Sequence, residues 1–257
     1  MNLMERLERS DWRLGHNFFA FTARSFERDV QIIVLGSLEA GTKYLKRQLT
    51  RETTKFEKSV DKAGPDAREW HEESYGEFVM EVSDQMRFLR NMSLVAILDR
   101  LLHALSTMAK SAEYFGPRSK VVYQGEDDFQ RMYREYAERF DITFGAKQIQ
   151  WIKPLRQARN LIVHNSGEVR LPSNTSERAD RSTDLYDVAF ATKYRYLVDG
   201  KGHNAQVDVS ELDLNKAVVH AIALAQWTAD QLRKCQVDFE GKRLKRSQKK
   251  TSKHRPA

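Results

Sequence analysis

The stretch RQARNLIVHNSGEV, residues Arg156–Val169, reads as an amphipathic helix that closes on a glycine. Counted at about 100° per residue from Ile152, the side chains of Leu155, Ala158, Leu161, Ile162 and Val163 cover one broad arc. Lys153, Arg156, Gln157, Asn160 and His164 fill the other. Asn165-Ser166-Gly167 supplies the stop, with Gly167 able to take the left-handed conformation that ends a helix. One residue is out of place. Arg159 falls inside the apolar arc, between Leu155 and Val163, directly before Asn160 and five residues before His164.

Outward from this helix the chain is mainly helical. Glycine and proline are sparse, 12 and 5 in 257 residues, which favours long helices over a turn-rich β-sandwich. Periodic apolar spacing predicts a short helix at Leu3–Leu14 and a long one from Asn17 to Thr50. KAGPDAREW is a break with Asp66 placed to cap a second long helix, Ala67–Ser111, with a bend near Asn91–Ser93. YFGPRSKVVYQGED is a loop, and Asp127 or Asp128 opens a helix to Phe140 whose aromatic residues face a core. ITFGAK is the turn before the opening stretch.

After Gly167 the character changes. LPSNTSERADRST is polar and turn-rich, a surface loop. The Val188–Val198 region and Gln206–Val209 read as the strands of a β-hairpin around the turn DGKGHN. Ser210 then caps a last helix, with Asp213 completing a capping box. The expected architecture is one helical domain over residues 1–240, with long antiparallel helices and a small β-hairpin inserted before the last helix. Residues 241–257, GKRLKRSQKKTSKHRPA, follow as a basic, structureless tail.

That tail accounts for the net charge. It holds eight Lys or Arg and no acid, so without it the chain has 35 basic and 36 acidic residues. Such an arm suits phosphate backbones or acidic partners, or serves only solubility. The single Cys235 excludes an internal disulfide and a cysteine-based metal site, and fits a reducing compartment. The best apolar run near the N-terminus, VQIIVLGSL, is too short for a bilayer span, and a cytoplasmic location without membrane attachment is expected.

Familiar catalytic spacings are absent: no phosphate-cradling glycine loop, no Glu-x-x-His, no His-Glu-x-x-His and no Gly-x-Ser-x-Gly. No metal or cofactor is expected. Glu77, Glu81 and Asp84 form a carboxylate stripe that reads as a solvated face, and His103 and His220, among apolar neighbours, as core histidines.

Arg156, Asn160 and His164 recur every four residues and share one face with Lys153. An Arg can fork onto a phosphate and stabilise charge building on it, and a His can take or deliver a proton. RNA cleavage by its own 2′-hydroxyl needs a proton removed and a proton supplied, and one copy of the motif holds a single acid–base group. A two-fold dimer would bring two His164 and two Arg159 together and would explain an Arg on an apolar face. A purely structural reading pairs a buried Arg159 with Glu81 or Asp84 and leaves His164 as a helix-end residue.

Arg159-Asn160-Leu161-Ile162-Val163-His164, at the end of a helix after two long ones, resembles the signature of the HEPN superfamily: an Arg, a polar residue, three more residues and a His. The VHNSG continuation, variable loop, hairpin and last helix are similar to the C-terminal half of many bacterial members. The resemblance implies an HEPN-like helical bundle. It also implies a metal-independent, homodimeric endoribonuclease leaving 2′,3′-cyclic phosphate ends. In it Arg159 and His164 carry the chemistry and Asn160 orients them; Lys153 and Arg156, on the same helix, are the expected RNA-binding residues. It implies a role in phage defence or toxin-type growth arrest, with an antitoxin or defence-system partner. Members silenced by tyrosine modification carry Tyr two residues after the His; Ser166 stands there, against a nucleotidyltransferase antitoxin. The alternative is a non-catalytic dimerisation or regulatory module of the same fold. A third reading is a nucleic-acid or nucleotide binder in which Arg159 and Lys153 hold phosphate uncleaved.

Overall fold

The computed structural model describes residues 18–113, 128–165, 167–169, 193–199 and 205–252. The expected Leu3–Leu14 helix, the loop at 114–127, the polar loop at 171–183 and the hairpin turn beyond Asp199 lie outside these residues. The protein is mainly helical, with one small antiparallel sheet before the last helix.

Helix α1 spans residues 18–28 and passes through a π-helical stretch, Asp29–Leu35, into α2, Gly36–Val60. Helix α2 therefore runs ten residues beyond the expected end at Thr50. Helix α3 is Pro65–Ser111 and runs unbroken through Asn91–Ser93. Its start also differs from the sequence reading. Pro65 takes the first position, where its missing N–H costs nothing, and the Arg68 amide donates to the Gly64 carbonyl. Asp66 thus lies inside the helix rather than capping it. Helices α4, Asp128–Phe140, and α5, Ala146–Ile149, lead to α6, Ile152–Asn165.

The sheet has three strands, β1 Glu168–Val169, β2 Val198–Asp199 and β3 Ala205–Val207, in the order β1-β3-β2. Strands β2 and β3 are the expected hairpin, in register Val198↔Val207; a 3₁₀ turn occupies Arg195–Leu197 of the first expected strand, and its residues 188–192 lie outside the described ones. Helix α7, Glu211–Ser252, closes the chain. The Ser210 hydroxyl accepts the Asp213 amide at 3.1 Å and donates to the Asp213 carboxylate at 2.7 Å, a capping box as read from the sequence. At its other end α7 continues to Ser252, into the stretch read as structureless.

The described residues gather into two compact units. The first comprises the described parts of Met1–Asp29, Asp99–Gln150 and Val219–Ala257. Its core holds Phe19, Phe26, Leu101, Leu105, Met108 and Tyr136. Tyr136 is fully buried and donates its hydroxyl to the Leu105 carbonyl at 2.8 Å, and burial holds that phenol well above its usual range. The expected core-facing aromatics of α4 are in place.

The second unit comprises Val30–Leu98 and Trp151–Val218. Here α2 and α3 pack antiparallel. The Phe56 and Tyr75 rings stack 4.4 Å apart near one end, and towards the other Gly41 meets Leu89 so closely that a Cβ would come within 2.8 Å. A window of α3 within Ala67–Ser111 is long and apolar enough to cross a bilayer by composition, yet half of it is buried inside the protein, as in a core helix.

Candidate functional site

Helix α6 lies in the second unit. Pro154 sits in its first turn, where a proline is tolerated. Ile152, Leu155, Ala158 and Leu161 are buried and anchor the helix, but Val163 on the same arc is 46% exposed. The helix leaves the core as it ends. Arg159 stands at that margin, half-buried, and its Nη1 donates to Asn160 Oδ1 at 3.2 Å. Asn160 and Arg156 are also half-buried, while Lys153 and His164 are exposed. All five candidate residues therefore lie on one 14-residue helix, and Arg159 and Asn160 are in direct contact. The buried Oε1 of Gln157, beside them on the polar face, has no hydrogen-bond partner among the described residues.

What ends α6 also places His164. Gly167 adopts φ +82° and donates its amide to the Leu161 carbonyl at 3.0 Å. This left-handed turn costs a glycine little and sends the chain straight into β1. Strand β1 pairs with β3 (Glu168↔Gln206), and the Val207 amide donates to the Gly167 carbonyl at 2.7 Å. Strand β3 is held in turn by α3. The buried Asn91 donates Nδ2 to the Val207 carbonyl at 2.7 Å and accepts the Val209 amide at 3.2 Å. Next to it, Arg90 bonds the Val209 carbonyl at 2.9 Å and Asp208 at 2.6 Å.

Arg90, Asn91 and Asp208 are the supporting residues that the sequence reading missed. The available signal was a polar pair interrupting the apolar stripe of α3, which reads as a bend. The buried amide instead satisfies two backbone groups of the strand region. The carboxylate stripe on α3 is engaged locally: Glu81 accepts from Gln85 at 3.1 Å, and Asp84 pairs with Arg87 at 2.6 Å. Among the described residues no three His, Cys, Asp or Glu side chains gather as metal ligands would.

His103 and His220, read as core histidines, are both exposed. Their apolar neighbours in sequence are not neighbours in space. The buried side of α3 is Leu94, Leu98, Leu101, Leu105 and Met108, and two steps on from Leu101 a helix turns about 200°, so His103 faces away. Compared with known proteins, the chain matches no family model, no curated protein and no solved structure.

Proposed function

We propose that this chain is an HEPN-type, metal-independent endoribonuclease, acting in the cytoplasm as a homodimer in phage defence or growth arrest alongside an antitoxin or defence-system partner. The observation that carries the reading is the pairing of Arg159 with Asn160 at the core margin, with an exposed His164 on the next turn. The half-buried Arg159 has a restricted reach, and the Asn160 carbonyl oxygen restricts it further. A guanidinium so held suits a phosphate placed against the helix end. The exposed Val163 beside it offers apolar surface to a second copy of the same helix.

In the composite site, His164 of one copy takes the proton from a ribose 2′-hydroxyl. The 2′-oxygen attacks the adjacent phosphorus, the bond to the 5′-oxygen breaks, and His164 of the second copy supplies the proton that oxygen needs. The products are a 2′,3′-cyclic phosphate and a 5′-hydroxyl. Arg159 neutralises charge on the non-bridging oxygens as it grows, and Lys153 and Arg156 hold flanking phosphates.

The test is cleavage of end-labelled single-stranded RNA by the full chain in EDTA, beside His164→Ala. Cyclic-phosphate ends made by the wild type and reduced by about 10²–10⁴-fold in the variant are expected. Equal cleavage by both, or none by folded wild-type dimer, would overturn the reading and favour a non-catalytic assembly module.

A further inference from the structure

A second feature of the same unit lies apart from the Arg159 motif in sequence. One side of α2, facing the first turn of α7, bounds a groove of 970 Å³. Lys43, Lys46, Arg47 and Arg51 line it from α2, and the buried Leu214 contributes to its floor. All four cationic side chains are exposed, and none has an ion-pair or hydrogen-bond partner among the described residues. Lys43 and Arg47, and Arg47 and Arg51, are like charges four residues apart, an arrangement that weakens a helix unless an anion lies between them. Lys55, further along α2 and outside the groove, does have a counter-ion, Glu52 at 2.6 Å.

We propose that this groove binds the sugar–phosphate backbone of a single nucleic-acid strand, independently of base sequence. Three properties favour a strand. The surface is concave, unlike one built to lie on a membrane. From Lys43 to Arg51 the cations are spread over about 12 Å of helix, one per turn or closer, as repeating phosphates require. The groove's lining contains no aromatic ring on which bases could stack, so contact runs through phosphate. Two lining carboxylates, Glu39 and Glu211, stand in the first turns of α2 and α7. The proposal rests on the ribonuclease reading only in identifying the strand as RNA.

The experiment measures binding of a fluorescent 2′-O-methyl oligouridine to the full chain by anisotropy, from 50 to 200 mM salt. This strand has no free 2′-hydroxyl and cannot be cut by the chemistry above, so binding is scored apart from cleavage. Lys46→Ala/Arg47→Ala is compared with Lys55→Ala/Lys58→Ala, which removes equal charge from the same helix outside the groove. Both changes are at exposed positions, and circular dichroism checks that both variants fold.

Loss of two phosphate contacts should lower the slope of log K against log salt by about 1.4, so that affinity changes about sevenfold less over this range. The control should keep the wild-type slope. Equal effects of both variants, no effect of either, no binding by the wild type at 50 mM salt, or displacement by polyglutamate as effective as by unlabelled strand would each overturn the proposal. Binding that persists in a protein without ribonuclease activity would leave the groove standing and remove only the catalytic reading.

Discussion

Asn91→Ala tests whether the end of α6 is held from α3. The wild-type amide satisfies the Val207 carbonyl and the Val209 amide at a position only 7% exposed. Truncation removes both partners and leaves two backbone groups of the strand region facing the space the amide vacates. Each unsatisfied group costs about 1–3 kcal/mol, so the variant should lose about 2–6 kcal/mol. For a chain of this length that is a fall in Tm of about 4–24 °C, read by circular dichroism or calorimetry. The loss should be local in origin. Hydrogen exchange at the Val207 and Val209 amides should accelerate first, because Val209 loses its acceptor and Val207, which donates to Gly167, joins β3 to the end of α6. Asn91→Asp keeps an acceptor for Val209 but cannot donate to Val207, so it should also be destabilised. A drop below about 0.5 kcal/mol in Asn91→Ala, with exchange unchanged at both amides, would refute this account of the clamp.

Gly167→Ala should cost about 1 kcal/mol in urea unfolding. That cost comes from backbone conformation alone, because the nearest atom to an added Cβ, Asn91 Nδ2, is at an ordinary 3.8 Å. No loss of stability would contradict the left-handed turn. Cys235 offers a pH test: burial, then the charges of Asp238 and Asp141, raise its thiol. A raised thiol stabilises the folded state at pH values below that of a free cysteine, and the contribution disappears as pH rises through the folded value. The pH midpoint of alkylation should therefore lie higher in the native protein than in urea; identical midpoints would refute it.

Helix boundaries were readable wherever the deciding contact is local. The Ser210–Asp213 capping box involves residues three apart, so the start of α7 follows from sequence. The end of α2 does not. Between Thr50 and Val60 the apolar period weakens, and what extends the helix is Phe56 stacking on Tyr75 and Thr53 bonding the same tyrosine at 2.7 Å. Strand β1 is two residues long, too short for any alternation to show, and exists because β3 offers it a paired edge. Residues 241–252 carry no apolar stripe to announce a helix, yet they continue one already nucleated by the buried turns before them.

The candidate site divides in the same way. Arg159, Asn160 and His164 were legible because helical spacing alone sets their relative directions. Their support was not, since Asn91 lies 116 residues from the strand carbonyl it bonds. The position of Arg159 itself has a physical answer in the burial along α6. An apolar arc buried at Ile152, Leu155, Ala158 and Leu161 but open at Val163 is a helix emerging from its core. A guanidinium at the point of emergence can lay its stem on apolar neighbours and keep its charged end at the surface, held by Asn160. Burial in this chain alone therefore explains why Arg159 is tolerated there. Val163, left open beside it, is one of many large apolar side chains exposed among the described residues.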